Sequence, residues 1–273
     1  PDDSAANWSR RRVLASLLGV GAVAPFVRGS RDVTGDSVLL RYTAHIPNSH
    51  GLYGKVFLPW EEIVTERTGG RIRWEHFVDK LLHGPLDGFK AVATGVTDYT
   101  HAYATYQPGS FHLTHGLQLP FLFPNPGVAA LVSEELYPEY LKEEYERMGV
   151  YLAHCDSTSA YDIISKTPIR SPSDIRGLKV RATGGLTAEI IRQVGAVPVV
   201  MAAAETYTAF QRGILDAVAL GGPDMAAYRL HETGNYFTRV GLTHTVLQYC
   251  LSPRTFDGLP DDLRVDLYNL FRL

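Results

Sequence analysis

From about residue 38 onward the apolar positions fall into two alternating spacings. GRIRWEHF (70–77) alternates apolar and polar side chains in the manner of a half-buried strand, whereas LDGFKAVAT (86–94) places them at helical spacing. Gly95 then closes that helix and VTDYTHA (96–102) opens a second strand. The same order returns later. GLKVR (177–181) reads as a strand, TAEIIRQV (187–194) and ETYTAFQR (205–212) as helices, Gly213 as a helix stop and ILDAVAL (214–220) as a strand. Each half therefore carries a helix, a glycine at the stop, and a Gly-x-x-Asp step into a strand. Strands separated by helices predict βαβ units, mostly parallel sheets with helices on both faces, arranged as two similar lobes.

In such sheets ligands bind beyond the carboxyl ends of the strands. Arg181 stands at one such end, and the segments 98–103 and 216–220 reach others, so all three are expected to converge on a cleft between the lobes. From pattern alone, Arg181 also fits a solvated strand-end arginine. Asp98 and Asp216 read as structural residues that shape the helix-to-strand turn.

Composition narrows the function classes. The chain has 273 residues, 45% hydrophobic, with a formal net charge of −3 and no Lys/Arg stripe interleaved with aromatics, which argues against nucleic acid as a partner. Cys155 and Cys250 are too few and too far apart for a metal motif, and both read as small core residues, with a bridge between them left open. There is no His-Glu-x-x-His, phosphate loop or Gly-x-Ser-x-Gly elbow, so neither metal catalysis nor a catalytic nucleophile is expected, while a cation bridging a ligand stays open. At the N-terminus, SRRRVL (9–14) precedes the apolar run ASLLGVGAVAPFV (15–27), which has the outline of an export signal and is short of the roughly 20 residues that span a bilayer. Its basic flank has the twin-arginine pattern. GVGAVA (19–24) matches a dinucleotide-binding pattern in letters, but no strand precedes it.

Several linked motifs carry a family resemblance. SPSDIRGLKVR (171–181), GAVPVVM (195–201) and ETYTAFQRGILD (205–216), with TGGRIR (68–73), FKAVATGVTD (89–98) and LPFLF (119–123) in the first half, resemble the solute-binding proteins of tripartite ATP-independent periplasmic (TRAP) transporters. The resemblance runs from about residue 38 to 273. It implies an α/β periplasmic-binding-protein fold with a ligand cleft between lobes: an export signal and linker at 1–37, lobe I at 38–156, lobe II at 157–244, and at 245–273 a return to lobe I leading into a helical C-terminal region that is cut short here. The lobes would be joined by crossings near 153–160 and 243–248. It implies a periplasmic carrier, not an enzyme, that hands a small organic acid to the membrane subunits of a TRAP permease, without a cofactor. A ligand-sensing periplasmic module is the alternative, ahead of a metal-dependent enzyme; monomer or homodimer stays open.

In that family the arginine of the Lys-x-Arg step grips the ligand carboxylate, and Arg181 occupies that position. A guanidinium suits the task because it is planar, always charged and able to make two parallel hydrogen bonds to a carboxylate. The resemblance places His101, Tyr103 and Tyr106 among first-lobe ligand contacts, Tyr161 where sialic-acid-binding relatives carry a second arginine, and Leu220 near a polar ligand-binding position of those relatives. Gly221 and Gly222, before Pro223, would let backbone approach the ligand closely or would simply make a turn. One arginine with several tyrosines and a leucine suits one carboxylate on an apolar or aromatic body, a monocarboxylate such as a 2-oxo, 2-hydroxy or aromatic acid rather than a C4-dicarboxylate or a sialic acid.

Overall fold

A computed structural model describes residues 37–271. The export-signal and dinucleotide-pattern readings at 9–27 lie outside the described residues. Ten strands make two five-stranded sheets. Chain order gives β1 (Val38–Thr43), β2 (Ile72–Phe77), β3 (Tyr99–Ala102), β4 (Tyr151–Ser157) and β5 (Tyr161–Ser165). The second half supplies β6 (Lys179–Ala182), β7 (Val197–Val200), β8 (Ala217–Gly221), β9 (Tyr236–Thr238) and β10 (Val246–Leu251). The first sheet has the order β2-β1-β3-β10-β4 and the second β7-β6-β8-β5-β9. The central strands β3, β8 and β10 are buried at every position, as strands covered on both faces must be.

The sheets are mixed, which corrects the expectation of mostly parallel pairing. β1 pairs in parallel with β2 and β3, and β6 with β7 and β8, but β10 runs antiparallel to β3 and β4, and β5 antiparallel to β8 and β9. The reason is connectivity. The chain leaves the first sheet through β4 and returns through β10, and two strands joined to the other lobe at the same end of a sheet run against each other. The linking segments, 158–160 and 239–245, are paired as well: Thr158 N–H donates to Thr245 O at 2.9 Å, Tyr161 N–H to Thr243 O at 2.8 Å, and Leu242 N–H to Tyr161 O at 2.8 Å. The return was expected at 243–248, yet β10 already begins at Val246.

The repeated Gly-x-x-Asp step does the same work twice. Gly95 and Gly213 both stop a helix with φ near +76°, at 76° and 77° respectively, a conformation that favours glycine. Three residues later the aspartate locks onto the neighbouring parallel strand. Asp98 Oδ2 accepts from Arg41 N–H at 2.9 Å while Asp98 N–H donates to Arg41 O at 3.0 Å; Asp216 Oδ2 accepts from Lys179 N–H at 2.8 Å while Asp216 N–H donates to Lys179 O at 2.9 Å. The structural reading of both aspartates agrees with these bonds, and they set the register at which β3 and β8 deliver their carboxyl ends.

Each sheet has its own core. Phe89, Phe111, Tyr145 and Val150 fill one face of the first sheet, while Tyr42, Phe57, Trp60 and Tyr99 stack on the other, Tyr42 and Phe57 with ring centroids 3.5 Å apart. In the second lobe Val180, Ile191, Phe210, Leu215 and Val218 are almost wholly removed from water. Cys155 and Cys250 are both buried and free, with burial pushing each thiol upward, as suits core residues rather than a bridge. No helix among the described residues is long and apolar enough to cross a membrane.

Packing in the second lobe is tight enough to test at one glycine. A β-carbon at Gly234 would lie 2.5 Å from Ile164 Cγ1 and 2.9 Å from Phe210 Cε1, so something must shift to admit it. Gly234→Ala is expected to destabilise the protein by about 1–3 kcal/mol in urea unfolding, the usual range for overpacking. An unchanged midpoint would show that this packing is looser than described.

Candidate functional site

Arg181 lies on β6 between β7 and β8, and its side chain is 0% exposed, which rules out the solvated strand-end reading. Its Nε–H donates to Met201 O at 3.1 Å, Nη1 donates to Ala219 O at 3.3 Å and Nη2 donates to Tyr106 Oη at 3.4 Å. These partners are two carbonyls and a phenol. No carboxylate among the described residues pairs with it. Three of the five guanidinium N–H groups are engaged, leaving one on each terminal nitrogen. Buried charges are ordinarily paired, because a lone ion removed from water loses several kcal/mol of solvation. Arg181 is thus a buried cation with one donor on each terminal nitrogen uncommitted.

The lobes meet around this cation. Tyr106, from the 3-10 turn Ala104–Tyr106 after β3, accepts from Arg181 and also from Ala203 N–H at 3.3 Å, so one phenol ties lobe I to two segments of lobe II. The glycine-rich turn after β6 makes the approach feasible. Gly184 and Gly185 have φ of 120° and 50°; a β-carbon on Gly184 would stand 3.2 Å from Thr105 O, and one on Gly185 2.7 Å from His115 Nε2, both groups of the opposite lobe. A third crossing joins His50 to Asp224, with Nε2 and Oδ1 3.3 Å apart.

The other expected residues divide. Tyr161, the first residue of β5, is 2% exposed, and its phenol is pushed up to about 12 by burial against the opposing pull of Arg181. Tyr103 and His101 stand at the end of β3 with His45: His45 is 4.9 Å from His101 and 5.3 Å from Tyr103 between ring centroids. His101 is fully buried, Nδ1 lies 3.4 Å from Tyr42 Oη, and Nε2 has no partner. Leu220, by contrast, belongs to the apolar cluster of lobe II, with Tyr161 and Val218. At Gly222 a β-carbon would meet nothing within 4 Å, so close approach does not demand glycine there. It does at Gly221, where a β-carbon would be 2.8 Å from Ser159 Oγ.

Sequence reasoning missed His45, His50, Ser159, Asp224 and Tyr228. His45 and His50 lie in the loop after β1, the carboxyl end of a parallel strand, and that position was the available signal. Among the described residues no group of three or more His, Cys, Asp or Glu is placed to hold a metal ion.

Two lobes, a cleft between their strand ends and one buried arginine in it define an architecture that comparison places. The model of the bacterial extracellular solute-binding proteins, family 7 (DctP), matches residues 43–272. The chain belongs to that family. Among its relatives, the C4-dicarboxylate-binding periplasmic protein DctP of Rhodobacter capsulatus is 25% identical over 261 residues, covering 94% of this chain and 77% of the relative. A solved TRAP solute binding protein from Rhodoferax ferrireducens, in complex with copurified benzoate, superposes with a TM-score of 0.81 at 21% identity, over 85% of this chain and 74% of that one. Another from Bordetella bronchiseptica, with bound (R)- and (S)-mandelate, gives a TM-score of 0.80 at 26% identity, over 85% and 75%. This family-7 chain spans between 44% and 77% of the length of curated relatives that it matches.

Burial holds the cleft imidazoles neutral. Desolvation lowers His45 to about 3, with neighbouring His83 adding to the effect, and drives His101 well below its ordinary value, with His45 adding to it. A base whose folded pKa is depressed takes up its proton in the unfolded chain first. Stability from these groups is therefore fully present above about pH 6.5 and declines on acidification, by about 1.4 kcal/mol per pH unit for each imidazole. The melting temperature is expected to fall between pH 6.5 and 4, with a shallower slope in His45→Leu. An identical slope in that variant would contradict the assignment.

Proposed function

We propose that this chain is an extracytoplasmic solute-binding protein that captures a small monocarboxylate between its lobes and delivers it to a TRAP permease. The observation that carries the reading is Arg181: a buried guanidinium between the lobes, with neutral partners and one free N–H on each terminal nitrogen. A carboxylate supplies what it lacks, two acceptor oxygens and one negative charge, in a geometry the fork matches. Family membership and the periplasmic relatives support a role in transport and a periplasmic location, and the benzoate and mandelate complexes support an acid with an aromatic body. The reading is a carrier, not a catalyst, and needs no cofactor.

The preference for one carboxylate follows from what surrounds the arginine. Tyr161 is buried where a second guanidinium would be wanted, Leu220 is withdrawn into the core, and Tyr103, Tyr106 and Tyr228 offer aromatic area with hydroxyl tips. The relative named for C4-dicarboxylates marks the competing choice, so succinate belongs in any screen.

Arg181→Met separates binding from folding. Removing an unpaired buried charge for an apolar side chain of similar length is expected to leave the ligand-free protein as stable as the native one or more so. Affinity for the acids that the native protein binds, from a titration panel of benzoate, mandelate and succinate, should fall by about two to three orders of magnitude, the fold-change of a lost buried ionic partner worth about 3–5 kcal/mol. A folded variant that keeps native affinity would overturn the clamp, and tighter native binding of succinate than of both monocarboxylates would overturn the ligand class.

A further inference from the structure

Asp224 is a carboxylate in a cleft read as receiving an anion, and it calls for an explanation. It lies in the first turn of the helix Gly222–Ala227 that follows β8, with its side chain 23% exposed. One oxygen is committed. His50 Nδ1 accepts from Leu52 N–H at 3.2 Å, which selects the tautomer with the proton on Nε2, so Nε2 donates across the cleft to Asp224 Oδ1 at 3.3 Å.

The other oxygen faces a different setting. The point where a β-carbon of Gly221 would stand lies 3.2 Å from Asp224 Oδ2 and 2.8 Å from Ser159 Oγ. That serine hydroxyl is buried and has no partner. The missing side chain at Gly221 therefore keeps an acceptor oxygen and an uncommitted hydroxyl close to one small space. Tyr161 and Tyr228 connect this corner to the arginine: burial raises both phenols, and among the further influences on each, Arg181 lowers and Asp224 raises. Geometry makes the same link: Ala219 O accepts from Arg181, Gly221 two residues further along β8 pairs with Tyr161 and borders Asp224 Oδ2, and the Tyr228 ring lies 6.0 Å from that of His50.

We propose that Asp224 determines ligand specificity, selecting acids that carry a hydrogen-bond donor, a hydroxyl or an ammonium, beside the carboxylate held by Arg181. This rests on the carboxylate reading of Arg181 and narrows it. An ionised carboxylate only accepts hydrogen bonds. A hydroxyl or ammonium group satisfies it, whereas an oxo group or a second carboxylate presents lone pairs or like charge to it, which is how a site rejects a near neighbour of its ligand.

Acids on one skeleton isolate the effect: mandelate, phenylglycine, phenylglyoxylate, phenylacetate and phenylmalonate, with lactate and pyruvate as a smaller pair, titrated calorimetrically into the full chain. Mandelate or phenylglycine is expected to bind at least about tenfold tighter than phenylglyoxylate, a difference of about 1.4 kcal/mol, with phenylmalonate weakest. Mandelate ahead assigns a hydroxyl; phenylglycine ahead assigns an ammonium. Asp224→Asn and Asp224→Ala should bring the order to within about threefold while phenylacetate changes little. A residue that merely braced the lobes through His50 would weaken all the acids alike, and that result would overturn the proposal. So would a native protein that binds the oxo acid as tightly as the hydroxy acid, or variants that keep the native order. If none of these acids binds the native protein, the carboxylate reading of Arg181 fails and this inference falls with it.

Discussion

Moving a guanidinium out of water costs several kcal/mol unless hydrogen bonds and an opposite charge replace its solvation. At Arg181 the described residues supply three hydrogen bonds and no opposite charge. The rest of the cleft is arranged around that imbalance. Met201 just after β7 and Ala219 in the middle of β8 lend carbonyl oxygens, lobe I lends a phenol through Tyr106, and the bare turn at Gly184 and Gly185 admits the opposing backbone and imidazole at close range. Low exposure then makes any anion that arrives worth more, because charges attract more strongly where water is excluded.

Two lobes built on one local plan explain how a short strand holds this group so firmly. The Asp98 and Asp216 locks fix each central strand against its parallel neighbour, and the linking segments that join the lobes are hydrogen-bonded to each other rather than loose. In the binding reading proposed above, the lobes would close on ligand by bending at 158–160 and 239–245, the usual hinge arrangement for ligand closure. The contacts made only between lobes, Tyr106 with Arg181 and His50 with Asp224, are those that such a motion would make and break.

Much of this was legible in the residue pattern because it is local. Glycine stops, the paired Gly-x-x-Asp steps and the strand that ends near Arg181 each declare themselves within a few positions, whereas Tyr103 and Tyr106 stand out as ligand contacts only through the family resemblance. What stayed hidden depends on chain segments far apart. His50 and Asp224 are separated by 174 positions and become neighbours only when the lobes meet. Ser159 gains meaning only beside Gly221, at the carboxyl end of β8. Leu220 packs in the apolar cluster of lobe II together with Tyr161, a placement that no motif position encodes. The mixed sheets follow from the return strand β10, whose antiparallel direction no local spacing encodes.

The most direct test of the account is a crystal structure of the protein with the acid that copurifies with it or binds it in titration. The account predicts a carboxylate within hydrogen-bonding distance of both terminal nitrogens of Arg181, enclosed between the lobes. A ligand whose acid group is held elsewhere, with Arg181 still bonded only to Met201, Ala219 and Tyr106, would contradict it.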